Sequence, residues 1–231
     1  MSPPHIDGKL ITDVLRLAPN DILEVACRAG SLELAKHAAS HGATDFNNVS
    51  YYACYGGCKE IVEFIISRGA TNFNWGLHAA CSGGYIEIVD LMMSHGANDF
   101  DWGLCGACRG GHKEIVELMI RHGATDFDFG LDAACWGGHK ENSFLEKMKR
   151  KELVEFLISR GATNFNSGLR SACIIGHKEL VELMVSHGAN DFNVGLYGAC
   201  RNGHAEIAKL LGKRAPAAVR DYCHKLGVEH V

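Results

Sequence analysis

Residues Trp75 to Asp101 read WGLHAACSGGYIEIVDLMMSHGANDFD, and the 27 residues that follow read WGLCGACRGGHKEIVELMIRHGATDFD. The same frame extends in both directions. Gly-Ala pairs begin at Gly42, Gly69, Gly96, Gly123, Gly161 and Gly188, with gaps of 27 residues except for one of 38 between Gly123 and Gly161. Self-similarity at a fixed period marks a repeat array. Seven copies are placed at 21–47, 48–74, 75–101, 102–128, 129–166, 167–193 and 194–215. The fifth carries an 11-residue insertion at about 142–152. Residues 1–20 are left as an N-terminal capping segment and 216–231 as a C-terminal capping helix.

Each copy reads as two short helices. The first is expected to begin near Gly-Leu, to run through Ala-Cys and to stop at Gly-Gly or a variant such as Gly83-Gly84. The second opens with an acid (Glu33, Glu60, Glu87, Glu114, Glu141, Glu179, Glu206), which suits the positive end of the helix dipole. It closes on His41, Arg68, His95, His122, Arg160 or His187, and a glycine follows each of them as the left-handed stop. A pair of helices this short cannot bury a core alone, but stacked pairs can. Phe46, Phe73, Phe100, Phe127, Phe165 and Phe192 recur between copies and are expected to form a stacked spine. The Asn or Asp after them (Asn74, Asp101, Asp128) is expected to cap the next helix or close an Asx turn.

Ten cysteines would suit a disulfide framework, but Cys27, Cys54, Cys81, Cys108 and Cys135 are spaced by 27, as are Cys173 and Cys200. Equivalent positions in stacked layers lie roughly 8–10 Å apart, beyond the about 7 Å that a disulfide spans. The repeat cysteines therefore read as reduced, buried apolar residues. Cys58, Cys105 and Cys223 lie off that position and are expected to react faster. Cys-x3-His recurs in Cys108/His112, Cys135/His139, Cys173/His177 and Cys200/His204. A cysteine facing inward and a histidine in a turn are expected to serve packing rather than zinc. A catalytic constellation is unique, whereas these residues recur, so neither an enzyme nor a cofactor is expected.

The formal charge of −4 lacks the basic surplus that phosphate binding demands, so nucleic acid is not the expected partner. No apolar run approaches the ~20 residues that cross a bilayer, so no membrane partner is expected. The N-terminus MSPPHIDGKLITDVL lacks a basic region followed by an apolar one. No secretory signal is read there, and a cytoplasmic location is expected.

Residues Gly76 to Ala97, GLHAACSGGYIEIVDLMMSHGA, resemble the ankyrin repeat. Leu77, His78, Ala80, Gly84, Glu87, Val89, Leu91, Gly96 and Ala97 fall on that family's pattern, and the likeness runs from about 21 to 215. The family repeat has 33 residues. The six missing here lie where the family builds a β-hairpin finger, and Trp75-Gly76 and Trp102-Gly103 replace its Thr-Pro. The resemblance implies an all-α, ankyrin-type helical solenoid with shortened finger loops, and a non-catalytic protein–protein interaction module whose concave face holds a partner. The compact copies are similar to those of ankyrin proteins encoded by giant DNA viruses, which would make the partner a host protein and the location the host cytoplasm. The alternative is an architectural or assembly subunit, such as a virion component, that packs against its own copies.

Within this constant frame three positions vary. Before Gly-Leu stand Trp75, Trp102 and Phe129; after the leucine, Tyr51, His78, Asp132, Arg170 and Tyr197; after Ala-Cys, Tyr55, Arg109, Trp136 and Arg201. Aromatics and arginine are the types enriched at binding hot spots, so these twelve are the candidate partner-binding residues. The insertion, NSFLEKMKRKE, adds Lys147, Lys149, Arg150 and Lys151, a basic cluster read as a second site or a nuclear import signal. Eleven residues at ~100° each come close to three turns, so the helix is expected to lengthen in phase. Residues 7–18, with Leu10, Val14, Leu15 and Leu17 inward, and 216–226 are expected as capping helices.

Overall fold

An Asp or Asn just before each recurring phenylalanine starts the first helix of a pair. Asp45, Asp99, Asp126, Asn164 and Asp191 each accept from the backbone N–H three residues on, at 2.9–3.5 Å. These are N-cap bonds. The structure, a computed structural model, describes residues 16–137 and 144–214. Its first helices are α1 (Pro19–Ala29), α3 (Phe46–Tyr55), α5 (Phe73–Gly83), α7 (Phe100–Gly110), α9 (Phe127–Trp136), α11 (Phe165–Ile175) and α13 (Phe192–Arg201). The second helices are α2 (Leu32–Ser40), α4 (Lys59–Ser67), α6 (Ile86–Ser94), α8 (Lys113–Arg121), α10 (Phe144–Ser159), α12 (Lys178–Ser186) and α14 (Ala205–Gly212). There is no strand among the described residues. The first helix thus begins at the phenylalanine, earlier than the Gly-Leu pair suggested.

The Asn or Asp after the phenylalanine does something other than cap. Its side chain reaches into the loop of the next copy. Asn47 accepts from the N–H groups of Thr71 and Asn72 at 2.7 and 3.1 Å. Asp101 does the same to Thr125 and Asp126 at 2.6 and 2.8 Å, and Asp128 to Thr163 and Asn164 at 2.6 and 2.8 Å. Asn20, Asn74 and Asn166 repeat the bond to Thr44, Asn98 and Asn190. These staples meet the hydrogen-bonding demand of the short loop where the longer repeat would use a hairpin.

The phenylalanines sit half-buried at the first helical position, and from Phe73 on they meet the basic residue that ends the second helix of their own pair. Phe73 stacks on His95, while Phe100 meets His122 and Phe165 meets His187 at a tilt, all with centroids 5.2–5.3 Å apart. Arg160 and Arg214 lie over Phe127 and Phe192. The expected spine is therefore a set of aromatic–basic pairs. The Gly-Ala stop behaves as read: Gly96 has φ 96°, and the N–H of buried Ala97 donates to the Met92 carbonyl at 3.1 Å.

The core is built from the repeat leucine and cysteine of the first helices, except that α3 has no leucine and buries Val49 instead, and from apolar residues of each second helix. Leu77, Leu104, Leu131, Leu169 and Leu196 have no exposed surface. The glycine before the leucine lets adjacent first helices approach. A Cβ on Gly76, Gly130, Gly168 or Gly195 would stand 3.1–3.3 Å from the sulfur of Cys54, Cys108, Cys135 or Cys173 in the preceding copy. Burial pushes the thiols of Cys27, Cys54, Cys81 and Cys173 up to about 12.

Eight described cysteines are free, but Cys200 is disulfide-bonded, which corrects the expectation for that copy. Cys200 belongs to the last described pair, and among the described residues no glycine is placed against its sulfur. Cys105 is also corrected: it is buried, and that burial pushes its thiol up to about 11.

The described chain divides into two compact units between Asn98 and Asp99. In unit 1, α3 packs on α1 and α5; in unit 2, α9 packs on α7 and α11, and α11 on α13. In α10 the residues in register with α8 are Lys151–Ser159, with Leu153, Val154 and Leu157 buried where α8 buries Ile115, Val116 and Met119. The in-register acid is thus Glu152 rather than Glu141, so the extra residues precede Arg150, earlier than 142–152. Helix α10 does extend back beyond Lys151, to Phe144. Most of the segment read as an N-terminal cap, and the helix read at 216–226, lie outside the described residues. Leu17, expected inward, is 43% exposed in a bend.

Candidate partner-binding face

Counting from the phenylalanine as the first helical residue, the three variable positions are the third, sixth and tenth of each first helix. Steps of three and four residues keep side chains on one helical face. Among the described residues ten large apolar side chains are exposed, and six of them occupy these positions: Tyr55, Trp75, Phe129, Trp136, Val194 and Tyr197. The apolar surface left uncovered is therefore concentrated on this face.

In unit 1, Trp75 is 49% exposed and Tyr55 45%. Tyr51 is half-buried between them, stacked on Tyr55 at 5.9 Å and edge-on to Trp75 at 6.1 Å. His78 is buried, which removes it from the exposed face. The sixth position looks toward the neighbouring first helix, and a side chain of moderate size is covered there.

In unit 2, Arg109, Phe129, Trp136, Arg170, Tyr197 and Arg201 are exposed and Trp102 is half-buried. Arg201 donates to the Tyr197 hydroxyl at 3.4 Å. Asp132 is engaged within the stack. Its Oδ1 accepts from Ser167 and Ser171 at 2.8 and 2.6 Å, so it joins α9 to α11.

The basic insertion divides. Lys147 and Lys149 are exposed, and Lys151 lies 3.7 Å from Glu155. Arg150, expected on a projecting surface, is 3% exposed. Its guanidinium donates to the carbonyls of Cys108 and Ala134 at 3.2 and 3.1 Å, near the C-terminal ends of α7 and α9, where a cation suits the dipole. Arg150 holds the place that His177 and His204 hold in later copies. Their Nε2 atoms lie 3.1 and 3.0 Å from the carbonyls of Gly137 and Ile174. The recurring histidine is thus a strut between copies. Among the described residues no group of three or more His, Cys, Asp or Glu side chains is placed to hold a metal ion, and no helix is long and apolar enough to cross a membrane.

A further group escaped the sequence reading. In the first copy the same three positions are Asp21, Glu24 and Arg28, hidden because Pro19 stands there in place of the opening phenylalanine and Ile22-Leu23 in place of Gly-Leu. Counting back 27 residues from Asn48, Tyr51 and Tyr55 would have found them. Asp21 and Glu24 line a cavity of about 410 Å³ in unit 1 together with Asp45, Tyr51, Tyr52 and Trp75. Residues 23–101 match the family model described as Ankyrin repeats (3 copies). The comparison with curated proteins gave no match.

Proposed function

We propose that this chain is an adaptor that holds a partner protein on the third, sixth and tenth positions of its first helices: residues 23–101 match the ankyrin-repeat family, whose repeats are in general non-catalytic modules of protein–protein interaction. The observation that supports this is the concentration of exposed aromatic side chains there, interleaved in unit 2 with Arg109, Arg170 and Arg201. Aromatic rings and guanidinium groups give much contact area for little lost side-chain freedom. In unit 2 the strip centres on Trp102, Arg109, Phe129 and Trp136, and in unit 1 on Tyr51, Tyr55 and Trp75.

The test is capture of partners from the organism's own lysate by the wild-type chain and by R109A/W136A. A partner held by the wild type and weakened at least tenfold by the double substitution, at unchanged melting temperature, supports the strip. A partner indifferent to R109A/W136A but lost on K147A/K149A would overturn it and make the extension of α10 the binding element.

A further inference from the structure

We propose that the groove in unit 1 is a receptor for a cationic side chain, arginine before lysine, presented by a basic segment of the partner protein. This rests on the reading that the first-helix face binds protein, and it adds the chemistry of what unit 1 takes.

The groove holds about 410 Å³, room for a guanidinium and its alkyl stem. Among the described residues its lining carries three carboxylates, Asp21, Glu24 and Asp45, and no cation. Glu24 is partly offset by Arg28 at 2.8 Å. Asp45 is already committed to the N–H and the amide of Asn48 at 3.4 and 2.6 Å. Each carboxylate has about four acceptor sites, so both retain capacity, and the groove stays two charges negative after Arg28 is counted.

Its walls are aromatic. The rings of Tyr51 and Trp75 meet at 81° with centroids 6.1 Å apart, and Trp75 is half exposed. A corner of two π-faces beside carboxylates is complementary to a flat, weakly hydrated cation. The protein already uses that chemistry here. The Arg28 guanidinium lies 3.7 Å from the centroid of the Tyr52 ring while its Nε donates to Glu24. One guanidinium is thus held by an aromatic face and a carboxylate at the edge of the groove. An acidic segment would add to the negative charge of the groove, and an apolar one would leave Asp21 without a counter-charge. A lone small anion has no donor to meet among the lining side chains other than Asn20, Asn48 and the ring groups.

The experiment uses the full chain and the pentapeptide acetyl-Gly-Gly-Arg-Gly-Gly-amide, with the citrulline peptide as its neutral isostere. The Trp75 indole N–H resonance, assigned by its absence in W75F, is followed during titration. The expected result is a saturable shift with the arginine peptide, weaker at high salt, at least fivefold weaker in D21N/E24Q, and absent with citrulline. D21N alone, which leaves the Glu24–Arg28 pair intact, serves if the double variant is misfolded; it too should weaken the shift. An equal response to the citrulline peptide, no response at millimolar arginine peptide, or undiminished binding by folded D21N/E24Q would overturn the proposal. Because the readout sits at Trp75, such a failure leaves the R109A/W136A test of the wider reading untouched.

Discussion

The first copy of unit 1 places Asp21, Glu24 and Arg28 at the three face positions, whereas the first copy of unit 2 places Trp102, Cys105 and Arg109 there. Beneath them the two units are built alike. Leu77 and Leu131 are equally buried, and Gly76 and Gly130 each admit a cysteine sulfur from the preceding first helix. Above that shared frame, unit 1 ends in a carboxylate-lined aromatic groove. Unit 2 ends in an aromatic strip studded with Arg109, Arg170 and Arg201, its Asp132 tied down by two serines. Packing constrains the inward positions in every copy and leaves the third and tenth positions to diverge. Partner chemistry is therefore written copy by copy on a frame that stays constant.

The largest expected effect tests whether the frame really is common to both units. An unfolded thiol has its ordinary value of 9.0, while Cys27, Cys54 and Cys81 in unit 1 and Cys173 in unit 2 keep their protons to about 12. Between those limits the unfolded chain binds fewer protons than the folded one, so stability is fully present below about pH 9 and falls as pH rises. The slope is at most about 1.4 kcal/mol per pH unit for each cysteine. Unfolding free energies from urea titrations followed by circular dichroism should drop by several kcal/mol between about pH 8 and pH 11. Alkylation mapped by mass spectrometry should accelerate together at Cys54 and Cys173, after half-buried Cys58 has reacted. Acceleration in one unit alone would break the equivalence of the two cores.

Arg150 is where the units should separate. It exists only in unit 2, buried, with its guanidinium on the carbonyls of Cys108 and Ala134. R150M keeps the stem but strands two carbonyls, which costs about 1–3 kcal/mol. In single-tryptophan backgrounds the unfolding midpoint read at Trp136 should fall while that read at Trp75 holds. K147Q/K149Q, on exposed residues of the same helix, should stay within about 0.5 kcal/mol. Equal losses from R150M and K147Q/K149Q would return Arg150 to the solvated surface.

The period, the second helices and the Gly-Ala stops were legible because they rest on local rules that repeat: an acid at the start, a base and a left-handed glycine at the end. The misreadings share one cause. Asp99-Phe100-Asp101 offers a capping residue on each side of the phenylalanine, and only a bond to the loop 24 and 25 residues on assigns their roles. His139-Lys140-Glu141 and Arg150-Lys151-Glu152 present the same start signal twice, and burial of Leu153 and Leu157 decides the register. Lys147, Lys149 and Arg150 look alike as a basic run, yet one of them faces inward. At the face, His78 was grouped with exposed residues because variability was the signal, and a variable position can still be covered. Asp21 and Glu24 were missed because their copy lacks both the opening phenylalanine and the Gly-Leu marker.

The smallest expected effect concerns the staples, where the units differ in charge alone. Unit 1 uses Asn20, Asn47 and Asn74, while unit 2 opens with Asp101 and Asp128. The acceptor atom is an oxygen in both cases, and the Asp101 bonds at 2.6 and 2.8 Å are only slightly shorter than those of Asn47 at 2.7 and 3.1 Å. D101N should therefore keep both bonds. It loses only the charge assistance and the favourable placement of an anion in the first turn of α7, about 0.3–1 kcal/mol at low salt. Added salt should shrink that difference, since the site is exposed and screened. D101A removes the acceptor itself, and the loop N–H groups of Thr125 and Asp126 turn to water. Hydrogen exchange at those two amides separates the cases: protection should persist in D101N and fall in D101A, while the amides of Thr71 and Asn72 in unit 1 remain as they were. If D101N loses protection as fully as D101A, the staple depends on charge rather than on an accepting oxygen, and the asparagines of unit 1 are then not its equivalents.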